Sequence, residues 1–230
     1  MRGINDVLGC LILVLFMNQM ALAQIEMDFD LVKKHFISGE QRCYHLEYAA
    51  FGPSESAPLE RMKAYYQTEN DGERVLFQVE DQITLLCSEG VLQIDKEEKI
   101  MLYSSQQQSN PFFTLLDTLI QSSINIKRRN TSEGILIFNY LFADNSTLCK
   151  SMEIQVNSEG QLLQIDIFYP NASNEANAFQ SFPHLRISVR EDLSCSRYKS
   201  KDLVLSTYLQ VAKQGPKPTQ EFADYELLSL

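Results

Sequence analysis

The chain has only three imidazoles, His35, His45 and His184, and these bound the chemistry its side chains could do. None has a partner at the helical spacing of a metal site. Cys43-Tyr44-His45 puts a thiol and an imidazole two residues apart, and on a strand those positions share a face. That pair could assist a metal, but its plainer reading is a core cysteine beside a surface histidine. A nucleophilic serine needs a sharp strand-to-helix turn such as Gly-x-Ser-x-Gly, and the sequence has none. A Walker loop, a Gly-x-Gly-x-x-Gly run and a paired-acid motif are equally missing. Glu97 and Glu98 sit where a turn is expected, and solvated charge is their ordinary state. The expectation is therefore a protein that is not an enzyme, with no catalytic residue, metal or cofactor.

Charge and cysteine usage narrow the class further. The formal net charge is −10, which repels phosphate backbones and excludes nucleic acid as a partner. The one basic cluster, Lys127-Arg128-Arg129, reads as a solvated strand end, with contact to lipid phosphate or an acidic partner as the alternative. Residues 1–23 have the pattern of a cleaved secretory signal: Arg2, an apolar run from Val7 to Met17, and Ala21-Leu22-Ala23 before Gln24. That run falls short of the ~20 helical residues needed to span a bilayer. Residues 24–230 are long enough for one domain with a substantial core. Cys43, Cys87, Cys149 and Cys195 remain beyond the signal. In an oxidising compartment their even number favours two disulfides, in any of three connectivities.

The elements that would position these groups are mostly strands. Asp28 to Ile37 has helical spacing, with Phe29, Val32 and Phe36 near one face. Cys43 to Phe51 and Arg61 to Gln67 read as strands, and Asn70-Asp71-Gly72 as a hairpin turn. From Arg74 the pattern is a β-meander, with Val75, Phe77 and Val79 alternating with Leu76, Gln78 and Glu80. Ser-Glu-Gly occurs at Ser88, Ser132 and Ser158, each time just before an apolar strand. The glycine suits the positive φ of a tight turn, so we take this as reused turn chemistry. Asn110-Pro111 is a cap and first-turn pair opening a helix whose Phe112, Phe113, Leu115, Leu116, Leu119 and Ile120 form a broad apolar stripe. Further strands are expected at Ser151 to Val156, Gln161 to Tyr169 and Leu185 to Val189. Asp202 to Val211 is ambiguous, Gly215-Pro216-Lys217-Pro218 reads as a turn, and Tyr225 to Leu230 as an edge strand.

The order from Ile83 to Leu116 resembles the central part of the LolA-like outer-membrane lipoprotein carriers and their wider superfamily. Ser88-Glu89-Gly90 falls where that family has Ser-Asp-Gly. Ile94-Asp95 looks like its strand ending in Asp, Lys99 to Leu102 like the next strand, and Pro111 to Leu116 like its proline-led Leu-Leu helix. The likeness spans Val75 to Tyr169. Where the carriers have a Phe-Arg-Trp-like strand, this chain has Arg61-Met62-Lys63-Ala64-Tyr65-Tyr66, and it contains no Trp.

The resemblance implies a mainly β (α+β) fold: an antiparallel, incomplete barrel wrapped over an N-terminal helix and an internal lid helix. It also implies a periplasmic or secreted monomer that binds lipid or lipoprotein acyl chains, with envelope proteins as further partners. The cavity lining then expected is Phe77, Val79, Leu85, Ile94, Ile100, Leu102, Phe138, Ile154, Leu163 and Ile165, with Phe112, Leu116 and Ile120 on the lid. The alternative is an exported structural or protein-interaction module whose half-barrel is filled by side chains and carries no lipid.

Overall fold

The computed structural model describes residues 32–53, 56–106, 110–143, 146, 149–170, 182–212 and 215–229. The expected signal segment and the first turn of the expected N-terminal helix lie outside the described residues. What is described of that helix, α1, covers residues 32–37.

Six strands follow in a meander: β1 (Gln41–Phe51), β2 (Glu60–Glu69), β3 (Arg74–Val79), β4 (Gln82–Cys87), β5 (Gly90–Asp95) and β6 (Ile100–Ser104). Helix α2 (Pro111–Ser122) interrupts, and a second run comprises β7 (Asn125–Asn130), β8 (Leu136–Leu141), β9 (Ser151–Val156), β10 (Leu162–Phe168) and β11 (His184–Glu191). The C-terminal segment adds β12 (Leu209–Ala212), β13 (Gly215–Pro218) and β14 (Glu226–Ser229). Twelve strands form one sheet in the order β14-β6-β5-β4-β3-β2-β1-β11-β10-β9-β8-β7. β1 pairs with β11 and so joins the two meanders. All its pairings are antiparallel except β14 on β6. The end strands β14 and β7 do not pair with each other, so the sheet is an open, mainly antiparallel one.

Period-2 alternation gives the sheet two apolar faces, and each is covered. On one face α1 and α2 pack against Tyr44, Leu46, Tyr66, Phe138, Ile154 and Ile165. Phe36 of α1 stacks on Tyr44 at 3.9 Å between centroids and meets Phe113 of α2 edge-on at 5.3 Å. Lys33 and Asp117 join the two helices by a 2.9 Å ion pair. On the other face Leu203, Leu205, Tyr208 and Leu209, from the chain after β11, cover Leu76, Leu85, Leu92 and Ile94. We call this covering segment the strap. Between helices and strap, β2 is buried on both sides from Ala64 to Glu69.

The local signals account for most of this. Asn110 accepts the Phe112 backbone N–H at 3.1 Å and Pro111 occupies the first turn of α2. The Ser88-Glu89-Gly90 turn joins β4 to β5, and Gly90 has φ +139. A Cβ there would sit 2.2 Å from the Ser104 carbonyl oxygen, so only glycine fits.

Two expectations need correction. Gly215 to Pro218 is not a turn but strand β13, paired with β12 from Leu209↔Pro218 to Ala212↔Gly215. The pair is a separate two-stranded ribbon, where proline's missing N–H leaves no neighbouring ladder unfilled. The second concerns the cysteines. Cys43 and Cys195 form a disulfide, whereas Cys87 and Cys149 are free and buried. Cys87 packs on the strap side and Cys149 on the helix side, so the sheet itself separates them. Burial pushes both thiols up, Cys149 to about 11. The disulfide also withdraws Cys43 from any metal pairing with His45, which lies 3.5 Å from Asp192 instead.

Candidate functional site

On the helix face, beyond the N-terminal end of α2, lies a cavity of about 1120 Å³. This is just above the ~300–1,000 Å³ usual for small-molecule sites. Each wall follows from the alternation of one strand. β1 contributes Tyr48 and Ala50, β3 Val75 and Phe77, β10 Ile167, and β11 Leu185 and Ile187. Phe112 and Leu116 of α2 close one side. Among the described lining residues the charged groups are Glu60, Arg61 and Glu80. Arg61 is itself paired with Glu47.

Besides Asn110 and these charged groups, the polar atoms of the described wall are phenols. Burial pushes the Tyr48 hydroxyl up to about 12 and raises Tyr66 and Tyr169 as well. These phenols stay protonated at any physiological pH, so they add no charge to the wall. Tyr66 is satisfied by Asn110, whose side-chain N–H donates to its hydroxyl at 2.6 Å. One asparagine thus caps α2 and ties that cap to the wall. Such a surface suits saturated hydrocarbon, where each buried methylene contributes ~0.8 kcal/mol.

Of the residues expected to form the lining, Phe77, Phe112 and Leu116 line this cavity. Val79 and Ile120 pack on the same face without lining it. Ile154 and Ile165 are fully buried in the helix-side core, and Phe138 is buried at the floor of a second cavity. Leu85 and Ile94 point the other way, under the strap. Ile100, Leu102 and Leu163 are half-buried and belong to neither core. Leu163 sits at a register shift in the β9–β10 pairing, which breaks the alternation there.

The wall of β1 and β11 was missed. Its signal was present as alternation of Tyr44, Leu46, Tyr48 and Ala50, and of Leu185, Ile187 and Val189. Lining Phe182, Tyr169 and Met62 lie at strand ends or just beyond them, where alternation says nothing.

No protein-family model and no curated protein matches the chain. Among solved structures it is similar to an uncharacterized conserved protein from Thermus thermophilus. That match has 8% identity and a TM-score of 0.49, covering 90% of this chain and 99% of that one. It is also similar to a LolA superfamily protein from Nitrosomonas europaea, with 8% identity and a TM-score of 0.34 over 79% of this chain and 97% of that one. A third is a putative outer membrane lipoprotein-sorting protein domain from Vibrio parahaemolyticus, with 12% identity and a TM-score of 0.35 over 80% and 95% of the two chains. These likenesses are loose ones, and what the site can bind follows from its own residues.

Proposed function

We propose that this chain is an exported, non-catalytic binding protein that takes an apolar ligand, a lipid or lipoprotein acyl chain, into the cavity beside α2. Residues 24–230 act as one domain and as a monomer, with α2 as the lid. The carrying observation is the cavity of about 1120 Å³, walled mainly by aliphatic and aromatic side chains, with charge among the described lining residues only on Glu60, Arg61 and Glu80. Burial of even part of a long chain there supplies several kcal/mol at ~0.8 kcal/mol per methylene. Export is supported by the signal-like N-terminus and by the Cys43–Cys195 disulfide, which persists in an oxidising compartment.

The test is mass spectrometry of organic extracts of the purified protein, beside uptake of a fluorescent fatty acid. Stoichiometric lipid, or saturable uptake that Phe77→Glu abolishes in a folded protein, supports the reading. A folded Phe77→Glu or Leu116→Glu protein that still loads lipid sinks it.

A second reading, an interaction module with a filled half-barrel, is favoured by one observation. Leu116, Leu119 and Phe113 are buried in the same core as Phe138, Ile154 and Ile165, so side chains fill that part of the helix face. A ligand-free protein that refuses the probe would be its signature.

A further inference from the structure

Several phenols of this fold find a partner inside the protein. Tyr44 donates to the Phe36 carbonyl at 3.0 Å, and Tyr103 and Tyr208 donate to the carbonyls of Glu89 and Asp202, each at 2.9 Å. Tyr66 accepts from Asn110. The hydroxyl of Tyr48, in the wall of the cavity beside α2, has no hydrogen-bond partner among the described residues.

The strand register explains this. On the helix face Tyr48 stands between Met62 of β2 and Ile187 of β11, its directly opposed neighbours. Neither side chain carries an oxygen or a nitrogen. Leu46 and Ala50, the next residues on the same face of β1, carry none either. Tyr169 lies beyond the end of β10, where its backbone N–H reaches the Pro183 carbonyl. The aliphatic row Ala50, Leu185 and Ile167 separates it from Tyr48. What remains for the Tyr48 hydroxyl to bond is whatever fills the cavity that it lines. Burial keeps the group protonated, so it is a neutral donor. A buried phenol ordinarily finds a partner. A pure hydrocarbon would seal this one off without any, a penalty that phenylalanine at the same position would avoid.

We propose that the Tyr48 hydroxyl is a specificity-determining donor, and that the ligand of this cavity is a neutral fatty ester whose carbonyl oxygen accepts from it. The proposal rests on the acyl reading of the cavity and narrows it: the aliphatic walls take the chain, and Tyr48 selects an oxygen on that chain. An ester carbonyl is a strong acceptor without charge. It enters an apolar wall at far lower cost than an ionised carboxylate, which must leave water as an ion.

The test is displacement of the fluorescent fatty acid by methyl octanoate, by decane of the same length and by octanoate, in the native protein and in Tyr48→Phe. Each inhibition constant is corrected for the affinity of the fluorescent probe itself. The substitution removes one oxygen and keeps the ring, and thermal unfolding confirms that the variant is folded. Methyl octanoate should bind the variant about fivefold more weakly, while decane binds it equally well or more tightly. A purely structural role for Tyr48 would move both probes in the same direction. Equal changes for methyl octanoate and decane, no change for the ester, or a loss confined to octanoate overturns the assignment and leaves the acyl cavity standing. A native protein that takes up none of the probes overturns the acyl reading and the assignment together.

Discussion

The Asn110 side chain donates to the Tyr66 hydroxyl at 2.6 Å while its carbonyl oxygen accepts the Phe112 backbone N–H at 3.1 Å. One residue therefore fixes both the start of α2 and the position of that start over β2. Asn110→Ala removes a cap, which costs about 1 kcal/mol, and leaves a buried phenol without its donor, so the total is about 2 kcal/mol. Urea unfolding gives the loss, and amide exchange in α2 should speed up more than exchange in β1 or β11. Uniform acceleration would mean that Asn110 is not a local latch.

Gly90→Ala should be among the most damaging small substitutions in the chain. The residue has φ +139, and the added methyl would sit 2.2 Å from the Ser104 carbonyl oxygen. Backbone strain of this kind costs about 1–3 kcal/mol before the clash is counted. Gly134→Ala, at φ +78 with open space around the Cβ, should cost less. Thermal melts of the two variants side by side check the order.

The Cys43–Cys195 bridge closes a loop across a sequence separation of 152. On the loop-entropy argument it contributes about 5 kcal/mol. Cys43→Ala/Cys195→Ala should lower the unfolding midpoint and raise exchange first in the strap around Leu203 to Leu209. In the native protein Cys87 and Cys149 should resist a thiol reagent at neutral pH and react only on unfolding, since burial raises both thiols. Rapid labelling of either would contradict the packing described.

Lys99 and Asp224 pair across the far end of the strap, where β14 joins β6. The Lys99 hydrogen bond lowers the Asp224 carboxyl, and the same contact raises the Lys99 ammonium. A depressed carboxyl stabilises the fold above its unfolded value, and the contribution is lost as pH falls through its folded value. A raised lysine stabilises below its unfolded value and loses that contribution as pH climbs through its folded one. The β14 tether should hold best across the neutral range and loosen towards strong acid and strong alkali. Exchange rates of Leu227 and Leu228 against pH, with Asp224→Asn as a flat control, measure it. Both partners are exposed, so the effect should shrink in high salt.

The meander and α2 were legible because their signals are local: Asn110-Pro111 for the helix start, Ser-Glu-Gly for the turns, and polar–apolar alternation for β1, β3 and β9. The phase of β4 and β5 was not. Leu85 and Leu86 are both buried, as are Val91 and Leu92, because helix and strap cover opposite faces of these strands. A strand that is apolar on both sides offers no polar face to anchor the alternation. Alternation alone therefore puts Leu85 and Ile94 on the cavity side, whereas they belong under the strap. The strap was hidden for a different reason. It is made of short 3₁₀ turns at Ser200–Leu203 and Leu205–Thr207 and a proline-bearing ribbon, none with a period long enough to read.

The placement of the disulfide sets an order of events in biogenesis. Of the four cysteines beyond residue 23, a chain that emerges from its N-terminus presents Cys43 first, then Cys87 and Cys149, and only near the end Cys195. The correct partner of Cys43 is the last to arrive, after both wrong ones have passed. Native pairing therefore depends on the sheet forming early enough to bury Cys87 and Cys149 on its two faces. Slowing that step, or flooding it with oxidant, should fill the preparation with mispaired isomers of identical mass.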